Sequence, residues 1–107
     1  MSEQLALFID FENVAIWAAQ EQVEFDITRL ITFLQTRGAV VVKRAYADWS
    51  HFSRYREDLL ANSMELTQVY NTNASGKKNR ADMWMTVDAL ETAIARPNIE
   101  TLVIVSG

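Results

Sequence analysis

Cysteine is absent from the 107 residues, and histidine occurs once, as His51. The first absence removes disulfides, thiolate nucleophiles and cysteine-ligated zinc together. The second leaves too few imidazoles for a histidine zinc site, and no serine has a histidine partner apart from the adjacent Ser50. Only three glycines occur, Gly38, Gly76 and Gly107, so a glycine-rich phosphate loop is excluded. Proline occurs once and half the residues are hydrophobic, which argues against disorder. No apolar run approaches the length of a membrane span, and no basic stretch precedes an apolar one at the start. The expectation is a soluble, cytoplasmic, single domain with no membrane partner.

Positive charge is also short. The net charge of −4 and a pI near 4.9 oppose general, charge-driven binding of nucleic acid. A local site stays open, because the basic residues are grouped as Lys43-Arg44, Arg54 with Arg56, and Lys77-Lys78 with Arg80. Carboxylates holding a divalent cation would likewise bind phosphate against the overall sign.

What is present alternates between strand and helix patterns. Leu5 to Ile9 is an apolar run with acids directly behind it, the pattern of a buried strand ending at Asp10. Residues 13–20 fit a short helix. Asp26 reads as the cap of a second helix carrying Ile27, Leu30, Ile31 and Leu34, which Gly38 is expected to close after Arg37. "AVVVKRAYA" is a second strand, and Asp48 is placed as the cap of the helix in "WSHFSRYREDLLAN". Residues 64–70 form a third strand, residues 81–96 a long helix before Pro97, and "ETLVIVSG" a fourth strand. The stripe Met83, Val87, Leu90 and Ile94 is expected to face the core. This order predicts a parallel sheet in a Rossmann-like three-layer α/β/α sandwich.

Open parallel sheets bind ligands beyond the carboxyl ends of their strands. The sequence brings to that edge Asp10, Glu12 and Asn13, then Tyr46, Asp48 and Trp49, then Asn71, Asn73, Lys77, Lys78, Arg80 and Asp82. Oxygen donors of this kind suit Mg²⁺ or Mn²⁺. Asp10 needs a partner because burying a lone acid is costly. Asp82 is read equally well as a favourable charge in a helix first turn. Asp88 lies about 120° around and about 9 Å along the same helix from Asp82, so the two cannot easily share an ion. Trp17, Trp49 and Trp84 are read as packing residues, with Trp49 the one to test for RNA stacking. His51 is read as an exposed helix residue.

Four segments, "LFIDFENV", "KRAYADW", "KKNRADMWMTVDAL" and "LVIVSG", resemble in order and spacing the NYN domains, also called LabA-like or DUF88 proteins, of the PIN-like nuclease superfamily. The resemblance covers residues 1–107 and implies a Mg²⁺- or Mn²⁺-dependent ribonuclease hydrolysing phosphodiesters of single-stranded or structured RNA. It carries catalytic and metal-binding roles to Asp10 and Asp82, a polar supporting role to Asn13 and a weaker one to Asp88. Lys77, Lys78, Arg80 and Arg44 are the expected RNA contacts. In the family a further aspartate follows the Ser-Gly pair, whereas the chain ends at Gly107, so the expectation is a PIN-like domain truncated at the C-terminus after its fourth strand, with reduced or no activity. An uncovered strand edge makes a homodimer a further expectation. The competing reading is a non-catalytic RNA- or protein-binding module of the same fold. Receiver- or phosphatase-type phosphate chemistry is disfavoured, because no second aspartate stands two residues after Asp10.

Overall fold

The computed structural model describes residues 3–70 and 80–106. In chain order the elements are β1 (Glu3–Asp10), α1 (Phe11–Glu21), α2 (Ile27–Gln35), β2 (Gly38–Ala47), α3 (Ser53–Ala61), β3 (Glu65–Gln68), α4 (Arg80–Ala95) and β4 (Thr101–Val105). The strands form one sheet in the order β3-β2-β1-β4, with every pairing parallel. Helices cover both faces, which gives the expected three-layer α/β sandwich.

β1 is the centre of the sheet, hydrogen-bonded to β2 on one side and β4 on the other. Its residues are apolar without alternation because both faces are covered. Leu7 and Ile9 pack with Phe11, Val14, Ile27, Ile31, Leu34 and Leu59 from α1, α2 and α3. Ala6 and Phe8 point the other way, into a smaller cluster with Tyr46 and with Ala81, Met85 and Ala89 of α4. A register shift at Leu5/Ala6 leaves Val41 as an extra residue on β2, between the partners Val40 and Val42. The bulge sends Val40 to the first cluster and Val42 to the second.

Three local expectations are corrected. Gly38 does not close α2. That helix ends at Thr36, whose hydroxyl donates to the carbonyl of Phe33 at 2.6 Å. Gly38 instead opens β2 beside Glu3, where a Cβ would lie 2.0 Å from the Glu3 carbonyl oxygen. The glycine is required by the close approach of two backbones. Asp26 does cap α2, accepting from the Arg29 amide at 3.2 Å. Asp48, by contrast, caps no helix. Its carboxylate accepts from the Ser50 amide and hydroxyl at 3.2 and 2.6 Å and from Gln68 Nε2 at 2.9 Å, tying the turn after β2 to β3. α3 starts at Ser53 with no side-chain cap. His51 is exposed as expected but sits in that turn, its Nε2 3.5 Å from Asp48 Oδ2.

The third correction is the largest. α4 buries Ala81, Met85 and Ala89, whereas Met83, Val87, Leu90 and Ile94 are 67, 45, 59 and 81 % exposed. At about 100° per residue the two sets lie on opposite sides of the helix. The choice of inward face follows from side-chain size: alanines let α4 lie close over Ala6, Phe8 and Tyr46.

Candidate active site

Asp10 is the last residue of β1 and is 1 % exposed, the one fully buried acid among the described residues. Strand alternation puts its side chain on the α4 side with Ala6 and Phe8, and its register partner on β2 is Tyr46. Asp10 also starts α1. Its Oδ1 accepts from the Asn13 amide at 3.4 Å, and Asn13 Nδ2 donates to its Oδ2 at 2.6 Å. The acid after the apolar run therefore caps a helix and is held in one orientation by the residue three positions on.

The first turn of α4 brings Asp82 against it. Burial first, and then the adjoining Asp82 through hydrogen bonding and charge, together raise the Asp10 carboxyl from its ordinary 3.8 to about 7. The two hydrogen bonds from Asn13 pull the other way and do not win. Asp82 Oδ1 is itself buried with no hydrogen-bond partner. Two facing carboxyls with an orphaned oxygen between strand and helix either share a proton or hold a cation. The donor set, hard oxygens with an unsatisfied lone pair, fits a divalent ion of the Mg²⁺ or Mn²⁺ type. Among the described residues no group of three or more Asp, Glu, His or Cys side chains converges as a metal site, so Asp10 and Asp82 stand as a pair.

Asp88 stands apart from them. Its Oδ2 accepts from the Tyr46 hydroxyl at 2.6 Å and lies 3.6 Å from Arg44, which in turn pairs with Glu65 at 3.2 Å. Burial, then the neighbouring Asp88 carboxylate, keeps the Tyr46 phenol protonated well above its ordinary range. This chain of contacts anchors α4 to β2 and β2 to β3. Sequence reasoning placed Tyr46 at the strand end without this role; its only sequence signal was a phenol two residues beyond a basic pair.

The match to known families settles the kinship. The NYN domain family model matches residues 4–107. The chain belongs to the NYN domain family. NYN domains are PIN-like nuclease domains that typically act on RNA and generally use divalent metals. No curated protein and no solved structure matches this NYN chain.

The remaining expected site residues of the NYN chain divide clearly. Asp10, Asn13 and Asp82 come together, and Arg44 and Asp88 form a second group across Tyr46. Lys77, Lys78 and the Arg80 side chain lie outside the described residues, as do Asn71 and Asn73. Trp49 is no stacking platform: it is 5 % exposed, packs against Phe11 and donates its indole N–H to the Thr67 carbonyl at 3.0 Å. Trp17 and Trp84, expected to pack, are 49 and 57 % exposed. A cavity of about 370 Å³ lies on the other side of the sheet among α1, α2 and α3, and neither Asp10 nor Asp82 lines it. No described helix is long and apolar enough to cross a membrane.

Proposed function

We propose that this NYN domain is a Mg²⁺- or Mn²⁺-dependent ribonuclease, acting in the cytoplasm on phosphodiesters of single-stranded or structured RNA. The observation that carries the reading is the buried Asp10–Asp82 pair with its orphaned Asp82 oxygen. Asp10 and Asp82, from β1 and α4, are the residues that would hold the cation. When bound, the ion lowers the pKa of a water and offsets charge that develops on the phosphate. Asn13 fixes the Asp10 carboxylate at both oxygens, its backbone amide donating to Oδ1 and its side-chain amide to Oδ2. Lys77, Lys78 and Arg80 serve the RNA backbone by charge-assisted contacts that read no sequence. Arg44 contributes to RNA only by loosening its pairs with Glu65 and Asp88.

The test is cleavage of a labelled single-stranded RNA by the chain and by Asp82→Asn, each with Mn²⁺, Mg²⁺ or EDTA. Metal-dependent cleavage that is lost in the variant supports the proposal. One observation favours a second reading, a non-catalytic RNA- or protein-binding module: no third acid joins the pair among the described residues. RNA binding that survives EDTA, without cleavage under any condition, would select that reading.

A further inference from the structure

A surface helix normally keeps one apolar stripe and turns polar residues outward. α4 departs from this rule. Besides the buried Ala81, Met85 and Ala89, it exposes Met83, Trp84, Val87, Leu90 and Ile94. Taking a large apolar residue to offer about 200 Å² when fully exposed, their exposures of 45–81 % sum to about 600 Å² per copy. That is the upper end of what a lone soluble protein shows in its largest apolar patch.

The spacing identifies what fits there. Met83, Val87, Leu90 and Ile94 recur at steps of four, three and four, the a/d seam of a helix that packs on another helix. The series is also palindromic. About a two-fold axis between Asp88 and Ala89, Met83 falls opposite Ile94 and Val87 opposite Leu90, in antiparallel layers of large against large. An interface between two identical chains needs such self-complementarity. The antiparallel arrangement also opposes the helix dipoles favourably. Among the described side chains of α4, Glu91 is the one charge on the outward side, since Asp88 is turned inward to Tyr46 and Arg44. A face without lysine or arginine from residue 83 to residue 95 is unsuited to an RNA strand or an anionic lipid surface.

We infer that the outward face of α4 is the seat of a second copy of this chain, joined as an antiparallel α4–α4 pair about a two-fold axis. The pair buries about 1,200 Å² in total, the lower end of what specific, stable interfaces bury. Association is therefore reversible and visible as concentration dependence.

Analytical ultracentrifugation of the full chain across the micromolar range tests this, with an expected rise from the 12.2 kDa monomer towards twice that mass. Leu90→Glu, and separately Ile94→Glu, should weaken association at least tenfold while leaving the circular dichroism spectrum unchanged, because both side chains are more than half exposed. The natural chain lacks cysteine, so introduced thiols report orientation without background. In an equimolar mixture of Val87→Cys and Leu90→Cys chains, the mixed disulfide should dominate both self-disulfides. A monomer at every concentration overturns the inference, as does a dimer unaffected by both glutamates. A dominant Val87→Cys self-disulfide overturns the antiparallel pairing.

Discussion

Removing one carboxylate from the pair at the end of β1 should stabilise this protein in the absence of metal. The folded Asp10 carboxyl sits at about 7 against an ordinary 3.8. A raised folded-state value means a contribution that is complete below pH 3.8 and lost as pH rises through 7. A shift of about three units corresponds to about 4 kcal/mol as the ceiling on that loss by pH 8. Burial, the largest cause, remains in the variant and only the Asp82 part is released, so the gain falls well short of that ceiling. Asp82→Asn removes the like charge and supplies an N–H₂ that can donate to Asp10. It also forfeits the favourable position of an acid in the first turn of α4, about 0.5 kcal/mol. The net expectation at pH 8 in EDTA is a gain of about 1–2 kcal/mol, or a melting temperature higher by about 5–10 °C for a domain of this size. At pH 4, with the Asp10 carboxyl protonated, the advantage should disappear. Saturating Mn²⁺ should then raise the melting temperature of the natural chain and leave the variant nearly unchanged. Thermal unfolding followed by circular dichroism from pH 4 to 8.5, with EDTA or Mn²⁺, reads all of this. A variant less stable than the parent at pH 8, or a difference that ignores pH, would refute the reasoning.

Gly38→Ala should cost about 2–4 kcal/mol in urea unfolding, because its Cβ would strike backbone at Glu3 rather than a side chain that can turn away. Tyr46→Phe should cost about 1–2 kcal/mol by removing the donor to a partly buried Asp88. Asp88→Asn can still accept from Tyr46, so it should keep metal-dependent RNA cleavage within a few-fold of the parent, whereas Asp82→Asn loses it; equal losses in a cleavage assay would merge the two roles. Trp49→Phe should reduce stability through the lost indole bond to Thr67 without changing RNA affinity measured by anisotropy.

The parallel sheet was legible because β1 and β2 carry unbroken apolar or β-branched runs and the helices between them are long enough to cross over. Asp10 was legible for the same reason: an acid closing such a run has no inexpensive place to go. Helix caps were read less well. Asp26 and Asp48 look alike in sequence, each preceding a helical stretch, but Gln68 from β3 and the Ser50 hydroxyl claim the second. That competition comes from a strand twenty residues away and has no local signature. The facing of α4 failed for a related reason. Its apolar residues permit two stripes, and sequence periodicity favours the bulkier one; the choice is made by how closely the helix must approach Phe8 and Tyr46, which rewards alanine. The role of Asp88 was hidden because it depends on a phenol from β2, while its spacing from Asp82 already argued against a shared ion.

The central place of β1 has a consequence for how the site comes apart. Ala6, Leu7, Phe8 and Ile9 are fully buried and hydrogen-bonded to strands on both sides, so their amides exchange with solvent only when the whole sheet opens. α4 lies over this sheet through Ala81, Met85 and Ala89 and the Tyr46–Asp88 bond, a much thinner attachment. Asp10 and Asp82 therefore belong to units that open at different free energies. Warming should separate the two carboxyls while the strands stay paired, and any activity should fade below the temperature at which the sheet melts. A cation bridging the pair would slow amide exchange along α4 and leave β1, already at the global limit, where it was.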